Sequence, residues 1–333
     1  MKRSLTVTLL AVLLALAPGG EAQAPQKLVF ALNWFAVGDH AAYWVALDKG
    51  YYKARGLDVE LQNSKGSGDS IAKVDTGRAD LGLADAVVVI PRVAQGAKIK
   101  IVGAVFDNTP LNIWTRKDTG ITTPKDLEGK TLAAPPGDAQ RQLFPAFAKV
   151  NGLDAGKVKW LTIEPAAKFV ALAEKRVDAV PDYTTGQPFW EKAVGKDNLV
   201  RMPWHQYGFD TYSMSIMASE KTINERTQAL RDFLAASYLG WRDVMADPKA
   251  ALEIFKKRVP DIDLTLIEPN LMLGLDLMRT ERYAKNGIGW MDRGKMCGTV
   301  EFINTYMPDM PRKVGCDEVF TNEFLTKVEP PRR

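Results

Sequence analysis

The chain is poor in the residues that carry most catalysis and metal chemistry. Its 333 residues include two histidines and two cysteines. Neither His40 nor His205 is near Cys297 or Cys316 in sequence, so no zinc-type spacing exists. Two cysteines cannot build a disulfide scaffold; in an oxidising compartment one bond, Cys297 to Cys316, closing a surface loop is expected. Two distant histidines offer little for acid–base work, and no Ser–His–Asp or Cys–His grouping stands out locally. The G-x-x-x-x-G-K-[ST] phosphate loop is absent. Lys and Arg number 44 against 40 Asp and Glu, well interspersed. The basic stripe of a nucleic-acid binder is missing. Beyond the first residues no long apolar run occurs, so no membrane anchor is expected in the mature chain.

What the N-terminus does hold is an address. Lys2 and Arg3 precede the apolar run Leu5–Ala17. That run is shorter than the ~20 residues a bilayer needs, and small residues follow it. Residues 1–22 therefore read as a secretory signal peptide. Ala22-Gln23-Ala24 has the A-x-A form, but Pro25 would follow that cut, which favours cleavage after Ala22. No cysteine is near the cut, which excludes a lipid anchor there. The mature chain of about 310 residues exceeds what one core comfortably supports and implies two lobes.

Apolar strands alternate with helical segments from Lys27 onward. Strands are expected at Lys27–Trp34, Leu57–Gln62, Leu81–Ala84 and Ile99–Phe106, and the rhythm restarts after Pro110. This is the α/β pattern of βαβ units and a mostly parallel sheet. After Ser213–Ala218 the chain turns helical: Asn224–Met245, Pro248–Arg258 and Asp263–Ala284. Leu230, Phe233, Leu234, Ser237, Tyr238 and Trp241 form one apolar stripe. Residues 328–333 read as a flexible, Pro-rich tail.

One internal echo organises the chain. Gly77-Arg78-Ala79-Asp80-Leu81-Gly82-Leu83-Ala84-Asp85 is answered by Lys175-Arg176-Val177-Asp178-Ala179-Val180-Pro181-Asp182-Tyr183. Each is a helix end, an Arg-x-Asp, a buried strand and an acid near the strand's carboxyl end. Two matching halves predict a cleft between lobes, and ligands of open α/β sheets bind beyond strand carboxyl ends.

Beside the Arg-x-Asp segments stand Leu32-Asn33-Trp34, Asp39-His40, Tyr43-Trp44-Val45-Ala46-Leu47-Asp48-Lys49-Gly50-Tyr51-Tyr52, Gly56-Leu57-Asp58-Val59-Glu60 and Thr123-Pro124-Lys125-Asp126-Leu127. Together these segments resemble the periplasmic solute-binding proteins of ABC importers, in the branch of thiamine-pyrimidine-precursor, sulfonate and nitrate binders. The resemblance implies a type II periplasmic binding protein fold: two α/β lobes that close like a hinge, with a helix-rich C-terminal part. The expected division is lobe I over 25–112, lobe II over 113–207, and lobe I again over 208–327. The resemblance also implies a monomer that works in the periplasm, needs no cofactor, and hands a small-molecule ligand to a membrane permease. Some relatives synthesise the thiamine pyrimidine, but they carry a CCCFC motif that this chain lacks.

The expected ligand contacts are Trp34, His40, Tyr43, Ser67, Ser70, Asp85, Asp182 and Tyr183. Trp34 ends the first strand and offers a stacking face. His40 opens the first helix and offers a hydrogen bond, with Tyr43 one turn on; Asp39 is expected to cap that helix. Ser67 and Ser70 sit at a helix N-terminus suited to an anion. Asp85 and Asp182 could accept the N–H donors of an aminopyrimidine, with Tyr183 completing an aromatic sandwich. Asn33 stands where the pyrimidine-binding pattern often has Asp, so a sulfonate, nitrate or carboxylate stays open beside the aminopyrimidine.

Overall fold

A computed structural model describes residues 24–331; the signal expected over residues 1–22 lies outside them. Ten strands form two five-stranded sheets. In chain order they are β1 Gln26–Ala31, β2 Leu57–Gln62, β3 Leu81–Asp85, β4 Ile99–Ala104, β5 Leu111–Arg116, β6 Thr131–Ala133, β7 Lys159–Leu161, β8 Ala179–Tyr183, β9 Leu199–Pro203 and β10 Met214–Ser219. One sheet has the order β2-β1-β3-β10-β4, the other β7-β6-β8-β5-β9. Both are mixed rather than mostly parallel. β10 runs antiparallel to β3 and β4, and β5 runs antiparallel to β8 and β9. Those two strands are where the chain arrives from the other lobe, which no strand pattern along the sequence reveals.

The Arg-x-Asp echo marks one device used twice. Asp80 accepts the Val29 N–H at 2.8 Å, and the Asp80 N–H donates to the Val29 carbonyl at 2.9 Å. Asp178 does the same with Thr131, at 2.8 Å in each direction. Each aspartate thus ties the start of one strand (β3 or β8) to its neighbour (β1 or β6), so the two sheets are built alike. β3, LGLAD, is buried on both faces, as a strand sandwiched between helices must be.

The C-terminal helices clamp the first sheet. The expected stripe on helix Thr227–Ala246 is buried throughout and packs on helix Ala41–Asp48. Gly240 permits that approach: a Cβ there would lie 2.3 Å from the Ala42 carbonyl oxygen. The single helix expected over Asp263–Ala284 is two, Leu264–Met278 and Glu281–Asn286. The break comes at Thr280, whose hydroxyl caps the second by accepting the Tyr283 N–H at 3.3 Å. Cys297 and Cys316 are disulfide-bonded, with Cα atoms 5.1 Å apart. The bond joins helix Arg293–Tyr306 to the short helix Cys316–Val319. At the start of the tail, Val328 is buried and its carbonyl accepts the Ile288 N–H at 2.8 Å, so the chain is held at that residue.

Candidate functional site

The chain passes between the sheets twice, from β4 to β5 and from β9 to β10. The carboxyl ends of β1, β3 and β8 converge on a cavity between the sheets, of about 630 Å³ including its open mouth. Trp34 and Phe35 line it from one side, Phe169 and Phe189 from the other, with Asn33 and Tyr183 among the polar groups.

Six of the eight expected contacts line this cavity: Trp34, His40, Ser67, Asp85, Asp182 and Tyr183. Tyr43 does not. Its side chain points into the core, edge-on to Phe30 at 4.8 Å and to Trp241 at 6.2 Å. His40 closes a 3₁₀ turn, Gly38–His40, before the helix starts at Ala41, so three-residue spacing does not place Tyr43 on its face. Ser70 is also withdrawn; its hydroxyl donates to the Ala31 carbonyl at 3.1 Å, beneath the sheet. Asp39 is no helix cap. It is buried in the cavity wall and accepts from the Thr185 hydroxyl of the opposite lobe at 2.8 Å.

The lobes are closed on each other. The Tyr183 hydroxyl donates to Asp85 Oδ2 at 2.8 Å and accepts from Asn33 Nδ2 at 3.3 Å. Asn270 Nδ2 donates to the Thr185 carbonyl at 2.8 Å, and Lys65 pairs with Glu164 at 2.9 Å. The expected anion cradle at the helix Ser67–Asp75 takes part in this closure. The Gly68 N–H donates to the Gly137 carbonyl of the other lobe at 3.0 Å. Asp69 folds back onto the Lys65 N–H at 3.0 Å, as a carboxylate near a helix N-terminus should.

Four carboxylates reach the cavity wall, and protein donors already serve them. Asp85 accepts hydroxyls from Ser67 at 2.8 Å, from Tyr183, and from Ser213. Asp182 accepts Trp190 Nε1 and the Tyr183 N–H, both at 2.8 Å. Asp138 accepts the Arg141 N–H at 3.1 Å and pairs with the buried Lys168 at 3.1 Å. Asp39 holds Thr185 on one oxygen and Asn270, at 3.5 Å, on the other. Burial raises the pKa of Asp85 and Asp182 and pushes Asp39 up to about 7, the Asp182 charge adding to the last. Burial drives His40 down to about 3, against a smaller upward pull from the Phe35 backbone, so its imidazole is neutral at physiological pH.

Lys168 does not itself line the cavity; it is a buried cation in contact with the lining residues Asp138 and Trp34. Its ammonium also stands 4.9 Å from the centre of the Trp34 ring, so one indole face has a cation partner. Tyr183 lies edge-on to Phe106 and its hydroxyl is spent, an arrangement unlike the expected sandwich with Trp34. Asn33, Asp39, Thr185, Phe169, Phe189 and Lys168 were not among the expected contacts. Thr185 and Lys168 carry no local motif; only the folding of the second lobe against the first brings them in. Asn33 was visible in the sequence as the residue beside Trp34.

Two sheets of this order, crossed twice by the chain and closing on a polar cleft, define a two-lobe, type II solute-binding fold. The chain belongs to the family described as NMT1/THI5 like, which matches residues 37–251. The riboflavin-binding protein RibY of Chloroflexus aurantiacus is 25% identical over 93% of this chain and 89% of that protein. Among solved structures, the alkanesulfonate-binding protein SsuA of Xanthomonas axonopodis, bound to MOPS, superposes with a TM-score of 0.67 at 15% identity, covering 90% of this chain and 99% of that one. The nitrate-binding protein NrtA of Synechocystis gives 0.65 at 15% identity over 91% and 87%. At that identity the two structures speak for the fold.

Proposed function

We propose that the protein is the periplasmic receptor of an ABC importer and that it captures a small, flat, polar nitrogen heterocycle between its lobes for delivery to a membrane permease. The observation that carries the reading is the cavity itself: aromatic side chains from both lobes beside hydrogen-bonding groups at strand ends. A flat ring would gain about 0.5–1.5 kcal/mol per aromatic contact beyond burial. RibY, by name a binder of a flat heterocycle, is similar over nearly the whole chain. An aminopyrimidine thiamine precursor is one member of the class.

A sulfonate, nitrate or carboxylate is the second reading. The names of the two solved relatives favour it, and Lys168 is a buried cation paired with a residue of the cavity wall, Asp138. Against it, Lys168 is already paired with Asp138, and the Gly68 N–H is taken by Gly137. Thermal-shift titration with riboflavin, 4-amino-5-hydroxymethyl-2-methylpyrimidine, methanesulfonate and nitrate separates the two, because stabilisation follows ligand concentration over affinity. Stabilisation by a heterocycle, abolished by Trp34→Ala, is expected; stabilisation by anions alone would establish the second reading.

A further inference from the structure

The direction of each hydrogen bond in the cavity wall can be followed, and together they determine which way the Asn33 amide faces. The Asp85 carboxylate takes the Tyr183 hydroxyl hydrogen, so the Tyr183 oxygen must accept, and what it accepts is the Asn33 amide N–H. Asn33 Oδ1 then faces His40 Nε2 at 2.9 Å, which makes that nitrogen the donor. The other end agrees: the Val37 backbone N–H, which can only donate, approaches His40 Nδ1 at 3.4 Å. The carbonyl of Asn33 is thus committed to the protein. Its amide nitrogen has two hydrogens and spends one on Tyr183; the second has no acceptor among the described residues. The Trp34 indole N–H likewise has none. Both residues line the cavity.

The acceptors show the reverse. All four carboxylates of the wall have a protein donor on each oxygen, with Asp39 the most loosely served. Beside Asn33 and Trp34 the unspent polar groups are therefore donors; elsewhere in the wall Gln140 bonds only through its Nε2, to the Asn112 carbonyl at 3.5 Å, and its side-chain carbonyl is an acceptor away from Asn33.

We infer that this cavity reads its ligand by donating hydrogen bonds, with Asn33 as the specificity-determining residue, and that the ligand is an uncharged heterocycle bearing ring carbonyls, of the lactam or imide kind, in preference to an amino-bearing pyrimidine. The inference rests on the receptor reading and sharpens it. An acceptor edge satisfies Asn33 on closure. An amino edge would set N–H against N–H and leave buried donors unpaired, the costly case.

Calorimetric titration of the purified protein tests it with one matched pair, thymine against 5-methylcytosine, and with riboflavin, 4-amino-5-hydroxymethyl-2-methylpyrimidine and the anion methanesulfonate as further probes. Thymine, which has a carbonyl where 5-methylcytosine has the amino group, is expected to bind about tenfold or more tighter, and riboflavin tighter than the aminopyrimidine. Asn33→Asp, which puts an acceptor where the donor was, should shrink or reverse that ratio. Tyr183→Phe, which leaves the Asn33 donors in place, should keep it even if both affinities fall. Preference for the amino-bearing partner or for methanesulfonate overturns the inference and leaves the receptor standing. Equal loss of both ligands in Asn33→Asp removes Asn33 as the reader. Binding of no probe by the wild-type protein would overturn the receptor reading and this inference with it.

Discussion

The Tyr183 hydroxyl reaches across the cleft to Asp85 at 2.8 Å, and the two residues hold the same place in their lobes. Each is the last residue of the third strand in its sheet, and each follows the echoed Arg-x-Asp aspartate by the same step. The duplicated lobe has put an acceptor on one side and a donor on the other. Tyr183→Phe deletes one neutral-to-charged hydrogen bond while Ser67 and Ser213 still serve Asp85. The closed form should weaken by about 1–3 kcal/mol, seen as a larger ligand-free radius of gyration in small-angle scattering and a lower ligand affinity. An unchanged radius and affinity would mean that this bond does not hold the lobes together.

Much of this architecture was legible because it repeats. Asp80 and Asp178 bind their neighbouring strands the same way, and a motif needed twice is visible twice. Trp34, Asp85 and Tyr183 were legible because strand ends face the crevice. Tyr43 was misplaced because a 3₁₀ turn shifts the helix start past His40. Thr185 and Lys168 were not legible at all: their importance comes from residues of the other lobe, Asp39 and Trp34, and long-range contact leaves no local pattern.

Asp39 and His40 impose opposite pH slopes on stability. The Asp39 pKa rises from 3.8 to about 7, so its contribution is full below pH about 4 and is lost as pH rises toward 7. The His40 pKa falls from 6.5 to about 3, so its contribution is full above about 6.5 and is lost as pH falls. Between pH about 4 and 6.5 the two oppose each other. Asp39→Asn should make stability climb with pH across that window relative to wild type, and His40→Gln should make it fall, each by up to about 1 kcal/mol per pH unit. Urea denaturation at several pH values measures both; wild-type slopes in both variants would refute the assignment.

The disulfide acts away from the cleft. Cys297 and Cys316 close a loop of sequence separation 19 between C-terminal helices, and neither lines the cavity. Replacing both with Ser should cost about 3 kcal/mol by the loop-entropy argument and lower Tm, with ligand affinity unchanged at a temperature where the variant is folded. A fall in affinity under those conditions would tie these helices to the cleft.

Gly66 separates folding from closure. Its φ of +122° lies where side-chain-bearing residues rarely go, and an added Cβ would stand 2.1 Å from the Gly137 oxygen of the facing lobe. Backbone strain alone would cost about 1–3 kcal/mol. The clash exists only when the lobes meet, so an open molecule escapes it. Gly66→Ala should therefore lose ligand affinity by far more than it loses thermal stability, and scattering should show an expanded form that ligand no longer compacts. Were stability and affinity to fall together by similar free energies, the lobe contact at Gly137 would be part of the fold itself, not a contact made on closing.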